Sequence, residues 1–359
     1  MRILCVIDSL GSGGAQRQLV QLAIGFRQRG YDVSFIVYHE LNFFKPDLDL
    51  NGISVKQVIE HNYLLRIFKI AREISRCRPD VVISFLEGAN FICEVAGLFP
   101  RKWKLIVGER SANPEILTSF KLICFRYFHL FADKIVYNSF SNQRLVQKIN
   151  PLLSNRKCHV IYNLIDSEIW GENKFRESLN GNLTLVIAAS HQYLKNAKGL
   201  IEAVNRLSGK NKKILKIEWY GDISPDNSFM EAKNLVNEYS LGDIISFFPS
   251  VRNIFEKYYL ADAVGLFSFY EGFPNTISEA MSIGKIVVAS SVSDIPLVLD
   301  HCPDLICDPA NVESIQKSLE HLIELTLNER MEIGCENRRK ARTLFKKDKI
   351  IYDYLQLMR

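Results

Sequence analysis

Two glutamates in the segment "FSFYEGFPNTISEAMSIGKIVVAS", residues 267–290, have the type and spacing to bind one ligand. Glu271 and Glu279 are eight positions apart; Glu271 follows an apolar strand, and Glu279 lies in the first turn of a predicted helix. Ligands of parallel sheets bind beyond the carboxyl ends of the strands, so both carboxylates are expected at a ligand site. The loop "GFPN" between them can present backbone N–H groups to an anion beside the helix N-terminus.

The same residues also have a structural interpretation. Thr276 and Glu279 have the spacing of a capping box, in which the glutamate accepts a hydrogen bond from the backbone at the helix start. Glu271 could equally be an ordinary loop carboxylate.

A second candidate is the glycine-rich stretch "DSLGSGGAQRQL", residues 8–19, between a predicted strand and a predicted helix. Gly11 and Gly13 match the dinucleotide pattern G-x-G-x-x-G, but Gln16 stands where the third glycine is needed, and the Walker pattern is absent. Glycine is also the default residue of tight turns. An anion-binding helix N-terminus and a plain turn therefore both remain open.

The elements that must position these residues are apolar runs, typical of buried parallel strands, alternating with helical patterns. Helices are predicted over 14–29, 311–327 and 329–346. Strands are predicted over 2–7, 33–38, 53–57, 81–85, 104–107, 134–137, 159–162, 183–189, 214–220, 244–248, 263–268, 285–290 and 304–307. The alternation predicts the α/β class, with two Rossmann-like, doubly wound domains facing across a cleft.

The break between the domains is expected in the polar stretch 164–182. We therefore predict an N-terminal domain over 1–165, a C-terminal domain over 166–340, and a helical tail over 341–359 that returns toward the first domain.

Composition limits the partners. The net charge of +5 is well short of that of a dedicated nucleic-acid binder, so no nucleic acid is expected. The eight cysteines have neither C-x-x-C nor metal-ligand spacing, which favours reduced core residues in a cytoplasmic protein. The N-terminus does not read as a signal peptide, and no apolar run has the length of a membrane span.

Taken together, the two glycine-bearing segments resemble retaining GT-B glycosyltransferases of family 4. "EGFPNTISEAM" is similar to the family's E-x7-E element, and "GSGGAQRQLVQLAIGFRQRGYDV" is similar to its opening. "CRPDVVISFLEGAN", "YNSFSN" and "VIYNLIDSEIW" resemble further landmarks, so the resemblance covers nearly the whole chain.

The resemblance implies a role for each matching residue. Glu279 would bind the ribose hydroxyls of a nucleotide, Glu271 would lie by the donor sugar, and Lys195, in "SHQYLKNAKG", would bind the diphosphate. Glu271 and Lys195 are the predicted catalytic residues. The predicted donor-binding residues are Gly13, Gly14, Ser190, His191, Lys195, Asn196, Phe273, Pro274, Asn275, Thr276 and Glu279.

The chain departs from the family pattern at two places. Ser190 stands where the family usually has a phosphate-binding arginine, so His191 or Lys198 would have to replace that cation, or it is missing. Many relatives have a histidine after the strand near 104–108, where this chain reads "VGERSANPE". Glu109, Arg110 and Asn113 are therefore acceptor-side candidates, and Arg110 is also a phosphate-side candidate. A structural salt bridge is the alternative for Glu109 and Arg110.

No metal is implied. Asp47 and Asp49 in "DLDL" have D-x-D spacing but precede Asn51-Gly52, which favours a turn. Lys195, the loop amides and the N-terminus of the predicted helix can stabilise a leaving diphosphate without a metal. Because the residues offer no second carboxylate for a covalent intermediate, the chemistry that we favour is a front-face transfer.

Two stretches could contact a membrane surface. "FPRKWK", residues 99–104, places Trp103 among basic residues, and "FKLICFRYFHLF", residues 120–131, interleaves aromatics with Lys121, Arg126 and His129. The interpretation that we favour for them is a loop and a core helix with basic edges.

The resemblance thus implies a transferase that moves a sugar from a nucleotide diphosphate, UDP rather than GDP, to a glycan or polyprenyl-diphosphate-linked acceptor. It would serve bacterial surface polysaccharide or lipopolysaccharide synthesis at the inner face of the cell membrane. The alternatives are a sugar-nucleotide epimerase or hydrolase and a non-catalytic sugar-nucleotide-binding protein. No cofactor besides the donor substrate is expected.

Overall fold

The computed structural model describes residues 1–98, 100–166, 170–171 and 182–359. These residues form two compact units, one of Met1–Leu164 with Lys347–Arg359 and one of Ile165–Lys346. Most of the predicted break at 164–182, and Phe99 of the first predicted membrane stretch, lie outside the described residues.

The first unit is built on a parallel sheet whose apolar strands are buried, as their composition predicts. Its strands are β1 (Arg2–Ile7), β2 (Asp32–Val37), β3 (Ser54–Gln57), β4 (Val81–Phe85), β5 (Lys104–Glu109), β6 (Lys134–Tyr137) and β7 (Cys158–Val160). They pair in the order β3-β2-β1-β4-β5-β6-β7. Its helices up to residue 149 are α1 (Gly14–Gln28), α2 (Lys45–Leu50), α3 (Tyr63–Cys77), α4 (Glu87–Ala96), α5 (Phe120–Phe128) and α6 (Phe140–Ile149).

The second unit repeats this plan. Its strands are β8 (Leu183–Ala188), β9 (Leu215–Tyr220), β10 (Ile245–Phe248), β11 (Ala263–Leu266), β12 (Ile286–Ser290) and β13 (Ile306–Cys307). They pair in the order β10-β9-β8-β11-β12-β13. Its helices are α7 (Ala197–Arg206), α8 (Gly209–Ile214), α9 (Ser228–Glu238), α10 (Ile254–Leu260), α11 (Asn275–Ser282), α12 (Ile295–Val298), α13 (Val312–Glu324) and α14 (Leu327–Leu344).

The last helix, α15 (Lys347–Met358), belongs to the first unit. Tyr354 is fully buried and its ring contacts that of Phe26 in α1, with centroids 6.4 Å apart. Gly25 leaves room for Ile351, because a Cβ at position 25 would lie 2.2 Å from the Cδ1 of that residue. Residues of α15 therefore belong to the same hydrophobic core as residues of β1 and α1.

The sheet orders confirm the predicted pair of doubly wound, Rossmann-like domains. In each sheet the strand order reverses once, between β1 and β4 in the first unit and between β8 and β11 in the second. Such reversal points open a crevice at the carboxyl ends of the strands, where ligands bind. One local prediction is wrong: "DLDL" lies in the short helix α2 rather than in a turn, and the Lys45 side chain bonds Asp49 at 2.6 Å.

Candidate functional site

In the second unit, the loops that follow β8 and β11 are joined at the reversal point. The Phe269 amide donates a hydrogen bond to the Leu194 carbonyl at 3.0 Å. The rings of Tyr193 and Phe269 pack with centroids 5.3 Å apart. Two loops that are distant in sequence therefore form one continuous surface beyond the strand ends.

This surface brings the two predicted catalytic residues together. Lys195 Nζ donates to Glu271 Oε1 at 2.6 Å, and their side chains are only 15% and 14% exposed. The pair is formed by residues 76 positions apart. Each charge neutralises the other, and both groups keep a path to solvent through which a polar ligand can reach them.

The neighbouring Asn196 has a structural role. It adopts the left-handed conformation, with φ of 57°, and its Oδ1 caps α7 by accepting from the Gly199 amide at 3.1 Å. Its Nδ2 donates to the Pro309 carbonyl at 2.8 Å. Asn196, predicted as a donor ligand, uses both ends of its side chain to fix the loop that carries Lys195.

The structure does not favour His191 as the replacement for the missing arginine. His191 is buried against the rings of Trp219, Phe229 and Phe247. Burial lowers its pKa, which favours the neutral imidazole over the cation that a phosphate site would use. Lys198 is exposed, 3.9 Å from Glu202.

Helix α11 begins directly after the "GFP" loop. Its N-cap is Pro274, whose side chain does not cap the helix, and a helix N-terminus suits an anion. Thr276 lies inside the helix and its hydroxyl donates to the Ala188 carbonyl at 3.2 Å, so the capping box suggested by the sequence does not form. Glu279 is buried one turn further on, and Phe273 packs on Phe345.

In the first unit, the glycine-rich stretch is the N-terminus of α1, with Gly13 as the N-cap. A Cβ at Gly13 would lie 2.2 Å from Gln16 Oε1. Gln16 in turn donates to Asp8 at 3.0 Å. The glutamine that broke the dinucleotide pattern therefore ties the helix start to the end of β1.

Glu109 is not exposed at an acceptor site, which corrects that prediction. It is buried in an ion-pair network, 3.0 Å from both Arg126 and His129, and His129 also contacts Glu94 at 2.5 Å. Burial alone would raise the pKa of Glu109, but Arg126 and His129 lower it to about 2. The structural salt bridge is thus the correct alternative for Glu109, with partners other than Arg110.

The same network changes the interpretation of residues 120–131. Arg126 and His129 are fully buried, so neither forms a basic edge of an interfacial or core helix. Arg126 also bonds Glu87 at 2.6 Å. Glu87 follows Leu86, which has φ of 75°, at the carboxyl end of β4.

Arg110 lies at the carboxyl end of β5 with different partners. Its Nη1 donates to Asn163 Oδ1 at 3.1 Å, its Nη2 donates to the Tyr354 hydroxyl, and its guanidinium lies 3.8 Å from the centroid of the Phe85 ring. Asn113 caps the short 3₁₀ turn Pro114–Leu117 by accepting from the Glu115 amide at 3.0 Å.

Sequence reasoning missed Asn163 and Tyr354. Asn163 stands in "VIYNLID", a family landmark that carries no assigned role in the prediction. Tyr354 lies in the tail, where local sequence gives no sign of contact with residue 110. Over the described residues, no cluster of histidine, cysteine, aspartate and glutamate suited to a metal ion occurs.

Comparison with known proteins gives the family. The model of the glycosyl transferases group 1 matches residues 171–340, and the model of glycosyltransferase family 4 matches residues 12–169. The chain belongs to the GT-B glycosyltransferases of family 4. Both halves of this glycosyltransferase thus match, and the predicted family is confirmed.

Two curated relatives of this glycosyltransferase come from Campylobacter jejuni. One is a GalNAc-α-(1→4)-GalNAc-α-(1→3)-diNAcBac-PP-undecaprenol α-1,4-N-acetyl-D-galactosaminyltransferase, 27% identical over 81% of this chain and 79% of its own length. The other is an N-acetylgalactosamine-N,N'-diacetylbacillosaminyl-diphospho-undecaprenol 4-α-N-acetylgalactosaminyltransferase, 24% identical over 98% of both chains.

Solved structures agree on the fold. Anabaena HepE, in complex with UDP, superposes with a TM-score of 0.85 at 18% identity and covers 99% of both chains. The lipopolysaccharide outer core galactosyltransferase WaaB superposes with a TM-score of 0.75 at 14% identity and covers 100% of this chain and 99% of its own. The GT-B fold of this glycosyltransferase is confirmed.

Proposed function

We propose that this glycosyltransferase moves a sugar from a nucleoside diphosphate, UDP rather than GDP, to a lipid-linked glycan acceptor, with retention of the anomeric configuration. The observation that carries the proposal is the Lys195–Glu271 pair at the reversal point of the second sheet, close in sequence to the start of α11. An ammonium group and a helix N-terminus suit a departing diphosphate.

Each donor residue has a proposed task. Lys195 and the first amides of α11 bind the diphosphate, and Ser190 offers a hydroxyl to the same group. Glu271 orients Lys195 before the donor binds and accepts from a sugar hydroxyl afterwards, while Glu279 binds the ribose. The segment Phe273–Thr276, which runs into the first turn of α11, contributes main-chain groups, and Gly13 and Gly14 keep side chains away from the sugar diphosphate.

The chemistry that we favour needs no metal. The diphosphate leaves with its charge stabilised by Lys195, and the acceptor hydroxyl attacks from the same face, giving its proton to the leaving phosphate oxygen. Glu271 is already paired with Lys195, which favours a positioning role over nucleophilic attack. The stereochemistry of the product tests retention, and turnover in the presence of a chelator tests metal independence.

The acceptor proposal rests on the relatives. Both Campylobacter relatives are named for undecaprenol-linked diphosphate acceptors, and HepE was solved with UDP and with UDP-glucose. We extend these ligand classes to this chain and place it in the synthesis of a bacterial surface polysaccharide.

A lipid-linked acceptor requires access to a membrane surface. No helix among the described residues is long and apolar enough to cross a membrane. On the first unit, Leu64 and Phe68 of α3 and Phe120 of α5 are 75%, 66% and 81% exposed. Such side chains can enter the interfacial layer of a bilayer, so we propose peripheral contact through α3 and α5 rather than through Trp103, which stacks under Arg101.

The proposed function is tested first by melting the protein with UDP, GDP and their hexose and N-acetylhexosamine derivatives. A bound nucleotide raises the melting temperature in proportion to affinity and concentration. The stabilising donor is then incubated with a synthetic polyprenyl-diphosphate glycan. A longer glycan supports transfer; donor consumption without acceptor supports the epimerase or hydrolase, and binding without turnover supports a non-catalytic protein.

Replacement of Glu271 tests its assigned place. We expect Glu271→Gln to lower kcat/KM roughly 10- to 100-fold, because hydrogen bonds to charged groups contribute about 1.5–3 kcal/mol. The matched control is Glu313→Gln, which breaks the exposed Lys317–Glu313 pair and is expected to leave transfer unchanged. Full transfer by Glu271→Gln would remove Glu271 from the donor site.

A further inference from the structure

The guanidinium of Arg110 is held by neutral partners. Asn163 accepts from Nη1 at 3.1 Å, and the Tyr354 hydroxyl accepts from Nη2. The guanidinium carbon lies over the Phe85 ring, 3.8 Å from the ring centroid. Within the described ranges, Arg110 forms no ion pair with a carboxylate. The adjacent Glu109 is committed to Arg126 and His129.

This leaves a positive charge with unused donors. Arg110 Nε is buried and has no hydrogen-bond partner among the described residues. Burial lowers the pKa of Arg110, yet a guanidinium stays protonated in proteins. A partly buried cation without a directly paired carboxylate is costly. An anionic ligand that accepts from Nε and from the remaining Nη donors would remove that cost.

The fold builds this position from four separate segments. Phe85 ends β4, Arg110 follows β5, Asn163 follows β7 and Tyr354 comes from α15. Gly108, paired with Phe85 in the sheet, makes the stack possible, since a Cβ there would lie 2.4 Å from the Phe85 ring and 3.3 Å from Arg110 Nε. A solvated surface arginine would need none of these contacts.

Arg110 also lies at the edge of the sheet where ligands of this fold class bind. Arg110 is at the carboxyl end of β5, next in the sheet to β4, whose own end carries the strained Leu86. Ligands of doubly wound sheets bind beyond these strand ends, and backbone strain concentrates at functional sites.

We propose that Arg110, oriented by Tyr354 and Asn163, binds a phosphate oxyanion of one of the two substrates, and that the C-terminal helix thereby contributes a positioning residue to the first unit. The inference rests on the proposed function, which supplies two sources of that oxyanion, the diphosphate of the nucleotide donor and the diphosphate of the lipid-linked acceptor. Arginine suits either, because its planar fork matches phosphate geometry.

The test uses the full chain and calorimetric titration with UDP, with farnesyl diphosphate as a short polyprenyl diphosphate, and with farnesol as the uncharged control. The variants are Arg110→Gln, Arg110→Lys, Tyr354→Phe and the double variant Arg110→Gln/Tyr354→Phe. The matched control is Arg101→Gln, because Arg101 also stacks on an aromatic ring, that of Trp103, but pairs with Asp133 at 2.7 Å.

We expect Arg110→Gln to weaken the binding of one diphosphate by at least about 10-fold, the size of a charge-assisted hydrogen bond. A loss confined to UDP assigns the donor phosphate, and a loss confined to farnesyl diphosphate assigns the acceptor. Arg110→Lys restores part of the affinity. Tyr354→Phe causes a smaller loss for the same ligand, and this loss disappears in the Arg110→Gln background because Tyr354 acts through Arg110.

Three results would overturn the inference. The first is an unchanged affinity of Arg110→Gln for both diphosphates, and the second is a wild-type protein that binds neither diphosphate. The third is a loss of affinity from Tyr354→Phe that is equally large with and without Arg110, which indicates a general structural effect. The proposed function fails separately, if the wild-type protein transfers no sugar from any nucleotide donor. Transfer by a wild type whose Arg110→Gln variant binds both diphosphates normally rejects the Arg110 site alone.

Discussion

Glu109 and Arg110 are adjacent residues whose side chains have different partners. Glu109 points into the core, where Arg126 and His129 neutralise it, and Arg110 points to neutral partners and keeps its charge. Alternation along an extended strand end sends successive side chains to opposite sides. One acidic and one basic residue in sequence therefore become a structural ion pair and a candidate ligand group.

Gly108 can be tested at this scale. We expect Gly108→Ala to lower the free energy of unfolding by about 1–3 kcal/mol, because the new Cβ overlaps the buried Phe85 ring. Denaturant unfolding of the two proteins measures the change. The control is Gly209→Ala, whose Cβ meets no atom within 4 Å and which should be neutral or slightly stabilising. Equal stability of both variants would contradict the packing.

The pH response of His129 can also be tested. Burial alone would lower its pKa, but Glu94 and Glu109 raise it to about 9. The stability that the imidazolium contributes is therefore complete below about pH 6.5, the unfolded value, and is lost as pH rises through 9. A histidine NMR titration should show a midpoint near 9, whereas His301, whose pKa burial lowers, should titrate below 6.5. A His129 midpoint near 6.5 would contradict the buried network.

At the scale of elements, the loop between β8 and α7 is held by hydrogen bonds at several points. The capping side chain of Asn196, its bond to Pro309 and the backbone bond between Phe269 and Leu194 fix the chain on both sides of Lys195. Lys195 has a long, flexible side chain, so its meeting with Glu271 depends on this fixed backbone. We therefore expect the cap to affect transfer by fixing the backbone position of Lys195.

We expect Asn196→Ala to cost about 1–2 kcal/mol of stability, because an N-cap is lost and alanine resists the left-handed conformation. Transfer should fall as well, since the backbone of Lys195 is released. The control is Ser208→Ala, which removes the exposed N-cap of α8 and should destabilise without affecting transfer. Thermal melts and initial rates separate the two effects. Unchanged rates in Asn196→Ala would show that the cap does not position Lys195.

At the scale of the whole molecule, the first unit depends on the end of the chain. Four residues of α15 are buried in it, namely Ile350, Ile351, Tyr354 and Met358. Burial of a large apolar side chain contributes about 1.5–3 kcal/mol, and a domain has roughly 5–15 kcal/mol of net stability. Helix α15 therefore stabilises the first unit.

Deletion of residues 347–359 should destabilise the first unit by several kcal/mol, because the face of α1 that packs on α15 is exposed. Hydrogen exchange should show lost protection in α1 and β1 and retained protection in β8 and β9. The control is Tyr352→Ser, which changes an exposed residue of α15 and should leave protection unchanged. Undiminished protection of α1 in the deletion variant would contradict the packing.

Local patterns were sufficient for much of this protein. Apolar runs and helical spacing predict the α/β class and place every described strand within about three residues, because burial on both faces leaves a continuous apolar signal. The motif around Glu271 and Glu279 predicts the family, and the resemblance singles out Lys195. These features depend on residues close together in the chain.

Only the tertiary structure decided which side chains meet. It pairs Lys195 with Glu271, neutralises Glu109 through Arg126 and His129, buries His191 among aromatic rings, and brings Tyr354 to Arg110. Each of these outcomes depends on contacts between segments far apart in sequence and on the low polarity of the interior, which sets the charge of each group. Long-range contacts and interior polarity are not encoded in the local spacing of residues, so the partners of a charged side chain could be known only from the folded chain.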